Sequence, residues 1–297
     1  MTRTKVIINI CILILVILFI CNPLFASEQK KINVFVSITP QAYFVDKIGG
    51  EFVNVEVLVG PGQSPETYEP TSRQMTNLAD CDIYFRIGVP FEKRLLKKLS
   101  SSMKDLNISN TCDGIELRSM DEHPDNGDIH RGTTDPHVWL DPRNAQIMGK
   151  NIFGELCKID PGHENEYSEN LKKLNNDLDS LDRNLNAILA PYKGGSFIVF
   201  HPFLGYFADR YGLKQIAVET EGKEPGARQL VILINKAKEE KVRTIFVQPQ
   251  FSSKSAGRIA EAIGGRVESI DGLAYDYINN MEDIARKLAE GFKSNER

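Results

Sequence analysis

Apolar and polar positions along this chain follow two rhythms in alternation. Ile32–Ile38 (INVFVSI), Val53–Val59 (VNVEVLV) and Ile83–Ile87 are short runs rich in branched residues, the pattern of strands. A fourth strand is expected near Ile115–Leu117. Between these runs, Gln41–Ile48 and Ser72–Leu78 have helical spacing, and so does Asn144–Cys157 further on. Thr39-Pro40 opens the first of them, and proline suits a first turn because the N–H it lacks would have no helical partner there. From Glu164 to Leu189 there is neither Gly nor Pro, and Leu171, Leu174, Leu178, Leu181, Leu185 and Leu189 recur at threes and fours. That stripe predicts one long amphipathic helix, roughly 39 Å from end to end at 1.5 Å per residue.

After Pro191–Gly195 the alternation starts again. Strands are expected at Ser196–Phe200, Gln215–Val218, Val242–Val247 and Arg266–Ile270, with helices at Phe203–Tyr211, Arg228–Glu239, Ser253–Ile263 and Asn280–Phe292. The pattern predicts an α/β fold of two (β/α) lobes, with mainly parallel sheets joined by one long rigid helix. The expected division is a leader over 1–26, an N-terminal lobe over 27–160, the linking helix over 161–192 and a C-terminal lobe over 193–297. Ligands of open α/β sheets sit beyond the carboxyl ends of the strands, so the cleft between the lobes is the natural site.

The leader sets the compartment. Arg3 and Lys5 precede the apolar run Val6–Cys21, and Asn22-Pro23-Leu24-Phe25-Ala26-Ser27 follows it. A basic segment, a greasy segment, a helix breaker and then small residues are the layout of a secretory signal peptide, with cleavage expected after Ala26. A retained anchor helix is the alternative reading. Ile20 is too large to precede a lipidated Cys21, so no lipid anchor is expected. No other run is long enough to span a membrane, which excludes a multi-pass transporter. The mature protein is therefore expected in the periplasm or otherwise outside the cytoplasm.

Composition narrows the classes further. The chain has 297 residues, 41% hydrophobic and 26% charged, enough for a sizeable core and unlike a disordered chain. The formal charge of −4 becomes −6 once Arg3 and Lys5 leave with the leader, and an acidic surface argues against nucleic acid. Cys81, Cys112 and Cys157 remain after cleavage, with no Cys-x-x-Cys pair to make a zinc ribbon or a thioredoxin-type site. Cys81 and Cys112 either pair in an oxidising compartment or stand as buried thiols.

Four residues with ligand chemistry fall at strand ends or in the loops that follow. Glu66 lies in GPGQSPETYEP after the second strand, and His137 in DPHVWLDP just before a helix. His201 ends the apolar strand SFIVF, and Asp276 lies in DGLAYD beyond the last strand. Two imidazoles and two carboxylates suit a borderline divalent metal, although each residue alone has a plainer use as a hydrogen-bonded, solvated or helix-capping group. A secreted metallohydrolase is a competing reading, but it needs an open water position and a base, and no His-Glu-x-x-His is present. The polar segment Asp121–Thr134, with His123 and His130, is expected to be a solvated surface loop.

The segments SPETYEPTSRQM, DPHVWLDPRN, FHPFLGYFADRYGL, ETEGKEPGARQL and VQPQFS, in this order, resemble the metal-binding subclass (cluster A-I) of ABC-transporter solute-binding proteins. The resemblance runs from about Ile32 to the C-terminus. It implies two lobes bridged by one rigid helix, with the metal held between them. On this likeness His137 and His201 are metal ligands. Glu66 replaces the histidine usual in that family's Pro-His-x-Tyr-Glu-Pro motif, and Asp276 falls near a position that some members fill with a carboxylate. A histidine at the place of His201 accompanies zinc in the family, so Zn²⁺ is the expected cargo, with Mn²⁺ or Fe²⁺ as alternatives. The implied partners are a membrane permease and a separate ATPase, since this chain has no G-x-x-x-x-G-K-[ST] loop. A monomer that captures and delivers metal, and not an enzyme, is the expectation.

Overall fold

The computed structural model describes residues 30–120, 134–219 and 226–295. The leader 1–26 and His123 and His130 of the acidic loop lie outside them. Four strands, β1 (Ile32–Ile38), β2 (Val53–Val59), β3 (Ile83–Arg86) and β4 (Ile108–Asn110), form one sheet in the order β2-β1-β3-β4. Helices α1 (Thr39–Gly49), α2 (Ser72–Ala79) and α3 (Glu92–Ser102) lie between these strands in sequence. Then come α4 (Pro142–Ile159) and the long α5 (Glu164–Leu189). The second sheet joins β5 (Ser196–Val199), β6 (Lys214–Ala217), β7 (Thr244–Val247) and β8 (Arg266–Ser269) in the order β6-β5-β7-β8. Its helices are α6 (Gly205–Tyr211), α7 (Ala227–Glu239), α8 (Ser253–Ala262) and α9 (Tyr277–Asn295). Every pairing between these strands is parallel, and the two sheets share one winding order.

Local chemistry accounts for the main boundaries. The Gln41 side chain accepts from the Ser37 and Ile38 N–H groups, at 3.0 and 3.3 Å, and with Pro40 it starts α1 directly from the end of β1. Thr71 and Gln74 cap α2 reciprocally, and Asp141 accepts the Arg143 N–H at 2.8 Å to start α4. In α5 the residues Leu174, Leu178, Leu181, Leu185 and Leu189 are all buried, as the stripe requires. The helix packs against α4 and α1 of the N-terminal half and against α9 and α6 of the C-terminal half. One continuous apolar core therefore runs from Phe44 through Leu178 to Phe207 and Tyr277, with a smaller cluster on β5–β7 around Ile198, Leu233 and Ile245.

One expectation needs correction, one helix was not expected, and one open alternative is decided. The fourth strand is Ile108–Asn110, pairing Tyr84↔Ile108, and Ile115 instead closes a turn with its N–H on the Cys112 carbonyl at 3.0 Å. This strand is three residues long with only Ile108 apolar, so alternation could not mark it. The helix Glu92–Ser102 went unread; its Leu95 and Leu99 are buried at the spacing of one helical face. Cys81 and Cys112 are both free thiols. Cys81 precedes β3 while Cys112 follows β4, so in a parallel pair they stand at opposite ends of the sheet. Burial pushes each thiol up to about 12.

Candidate metal centre

Segments that follow strands of both sheets line one cavity. Its polar lining includes Glu66 from the loop after β2, His137 from the segment before α4, and His201 and Gln248 from the ends of β5 and β7. Trp139, Phe203 and Phe251 supply apolar wall. Glu92, buried in α3, accepts the Ile87 and Gly88 N–H groups at 2.8 and 2.7 Å and the Ser37 hydroxyl. That carboxylate braces the turn carrying Val89 and Pro90 into the cavity wall.

The two histidines are held in the same way. His137 Nδ1 lies 2.8 Å from Asp135 Oδ1, and Asp135 is wholly buried. Burial opposes ionisation of Asp135, but the hydrogen bond and charge of His137 and the hydrogen bond from Arg118 outweigh it and hold its carboxyl below the ordinary value. Arg118 Nη1 reaches Asp135 Oδ2 at 2.8 Å while its Nε reaches Asp209 on α6 at 2.8 Å. The Tyr206 hydroxyl accepts the Arg118 N–H at 3.0 Å and donates to the Asp135 carbonyl at 3.2 Å. Glycine at position 205 leaves room for this network, since a Cβ there would lie 1.8 Å from Arg118 Nη1 and 2.5 Å from Asp135 Oδ2.

His201 is 4% exposed and pairs through Nδ1 with Glu219, itself 4% exposed. Its Nε2 lies 3.3 Å from Glu66 Oε1, and its ring centroid is 5.3 Å from that of His137. The Phe251 ring stacks on that of His201 with centroids 4.9 Å apart. A carboxylate behind Nδ1 selects the tautomer that presents a bare Nε2 lone pair, the arrangement that orients an imidazole for metal. Glu66, His201 and Glu219 place one ligand atom each within 4.8 Å of one another.

Of the four residues read from sequence, the fold brings Glu66, His137 and His201 to one cavity. Asp276 is not among its lining residues. It is exposed at the start of α9, where its Oδ2 accepts from Asn279 at 2.7 Å and its carbonyl accepts the Asn280 N–H at 3.0 Å. Its neighbour Tyr275 turns the loop toward α1, donating to Asp46 at 2.8 Å. Asp135 and Glu219 were missed. Glu219 follows β6 as His201 follows β5, and that parallel placement was the available signal.

Four likenesses to known proteins bear on this chain. Residues 34–291 match the family model for ZnuA, described as zinc-uptake complex component A, periplasmic. The high-affinity zinc uptake system protein ZnuA of Bacillus subtilis (strain 168) is 30% identical over 260 residues, 83% of this chain and 80% of that protein. A crystal structure of ZnuA superposes with a TM-score of 0.82 at 38% identity, covering 88% of this chain and 99% of that one. A ZnuA deletion mutant with zinc bound gives 0.81 at 38% identity, covering 88% and 98%. The two-lobed parallel fold and a match over most of its length make this chain a member of the ZnuA family of periplasmic zinc-uptake components.

Proposed function

We propose that this protein captures Zn²⁺ outside the cytoplasm and hands it to the membrane permease of an ABC transporter that a separate ATPase drives. One observation carries the reading. Two imidazoles from different halves of the fold, each backed at Nδ1 by a buried carboxylate, meet beside Glu66 in one cavity. Glu66, His137 and His201 are the proposed ligands, with Asp135 and Glu219 holding the rings. Two nitrogens and a carboxylate can also take Mn²⁺ or Fe²⁺, but at such a set zinc binds more tightly than either. The zinc named in its relatives supports the same choice.

The chemistry is capture and release without covalent change. A ligating imidazole must be neutral, so acid releases the ion. The proposed route outward is the leader 1–26, removed after Ala26, leaving a soluble monomer. Among the described residues no helix is long and apolar enough to cross a membrane.

Titration calorimetry on the metal-stripped mature chain tests the reading. Binding of one Zn²⁺ per chain, far tighter than about 10 μM (roughly −7 kcal/mol), is the expected result, and His201→Ala should lose most of it. Failure of the wild-type chain to bind Zn²⁺ more tightly than that limit rejects the proposal.

A further inference from the structure

The register of the second sheet lines up more than a histidine and its carboxylate. Val199 on β5 pairs with Ala217 on β6 and with Phe246 on β7. The Phe200 N–H continues the second pairing by donating to the Phe246 carbonyl at 2.7 Å. Carried two residues past Val199, the same offsets set His201 level with Glu219 on one side and with Gln248 on the other. Equivalent positions on neighbouring parallel strands share a face and stand roughly 4.8 Å apart. The turn after β7 keeps this alignment, because the Phe251 N–H donates to the Gln248 carbonyl at 3.0 Å while the Phe251 ring stacks on His201.

The row Glu219–His201–Gln248 is buried throughout, and Gln248 is 5% exposed. Glu219 is committed to His201 Nδ1. Gln248 is not committed: its Oε1 is buried with no hydrogen-bond partner among the described residues, and the residue lines the cavity shared by Glu66, His137 and His201. A buried amide oxygen without a partner is destabilising, and native interiors keep few of them. The Trp139 indole is no partner for it, because its N–H is already bonded to the Gly272 carbonyl at 2.8 Å. A divalent cation, on the reading proposed above, enters this cavity needing oxygen donors.

We propose that the Gln248 amide oxygen faces the captured cation as a neutral donor, completing the shell that Glu66, His137 and His201 begin. This rests on the metal-receptor reading and adds a specificity-determining residue to it. A neutral oxygen adds a ligand without adding negative charge, and oxygen donors favour the harder ions relative to imidazole. Replacing it by carboxylate should therefore help Mn²⁺ more than Zn²⁺.

The test uses the mature chain with Co²⁺ as a spectroscopic probe and Zn²⁺ and Mn²⁺ in calorimetry. Gln248→Leu should weaken Zn²⁺ binding by about tenfold or more and shift the visible Co²⁺ bands, as an amide oxygen is lost from the coordination shell. A residue that merely packs would leave that spectrum alone. An unchanged Co²⁺ spectrum with Zn²⁺ affinity within about twofold of wild type overturns the inference. Should the leucine variant fail to fold by circular dichroism, Gln248→Glu decides. Shifted Co²⁺ bands with a larger affinity gain for Mn²⁺ than for Zn²⁺ support the inference, and wild-type bands and affinities overturn it. Wild-type protein that binds neither Zn²⁺ nor Co²⁺ defeats the parent reading as well, so the two failures are distinguishable.

Discussion

Asp135 illustrates how much of this site resides in residues that touch no ligand. Its carboxylate fixes His137 on one side and takes Arg118 on the other, and Arg118 continues to Asp209 in the opposite half. Asp135→Asn keeps the volume but gives His137 Nδ1 a weaker, ambiguous partner. We expect Zn²⁺ affinity to fall by about 10–100-fold with His137 still in place. Gly205→Ala should reproduce part of that loss by another route, because the added methyl would displace Arg118 from Asp135. Calorimetry on both variants checks this, and wild-type affinity in each would show that His137 needs no support. The sequence made Glu66, His137 and His201 visible because each follows or precedes an apolar element. Asp135 and Glu219 were less visible, since their partners are set by a turn and by strand register and not by spacing. Asp276 differs from Glu66, His137 and His201: it lies outside the lining of the cavity, and its carboxylate accepts from the Asn279 side chain at the start of α9.

Among the elements, α5 was the most legible and carries the least obvious polar residue. Its leucine stripe is unbroken, so both ends, Glu164 and Leu189, are readable from the sequence. The short edge strand Ile108–Asn110 was not, because three polar-leaning residues acquire their identity from pairing with β3. Within the stripe sits Asp182, buried, accepting from Arg210 at 2.6 Å and from Tyr211 at 3.2 Å, with Arg143 at 3.0 Å. Burial opposes its ionisation, yet the hydrogen bond and charge of Arg210 and the charge of Arg143 prevail and hold its carboxyl below the ordinary range. A depressed folded value stabilises the fold above the unfolded value, about 3.9, and that stability is lost as pH falls through the lower folded one. Asp182→Asn should cost about 2 kcal/mol near neutral pH, below the fully buried figure because both arginines are partly solvated. Urea melts at pH 7 and pH 3 check it: the gap between wild type and variant should narrow in acid, and a gap independent of pH would refute the assignment.

For the whole molecule, the proposed ligands come from both halves of a chain that is already tied across its middle. Trp139 donates to the Gly272 carbonyl at 2.8 Å, Tyr277 donates to the Trp139 carbonyl at 2.6 Å, and one apolar core extends through α5. A cation bound to Glu66 and His137 on one side and His201 on the other adds a cross-link that the unfolded chain cannot keep. Ligand at about 100 times its Kd adds about 2.7 kcal/mol by mass action, which for a chain of this size raises Tm by roughly 5–10 °C. Because the halves are joined by direct hydrogen bonds before metal arrives, the gain should come as one cooperative transition moved upward and not as a second peak. Scanning calorimetry with Zn²⁺ and then with excess chelator checks this, and His201→Ala should show almost no shift. A separate, metal-dependent melting step in the wild-type chain would mean that the ion stabilises one lobe alone, and the site would then have to be built from one sheet.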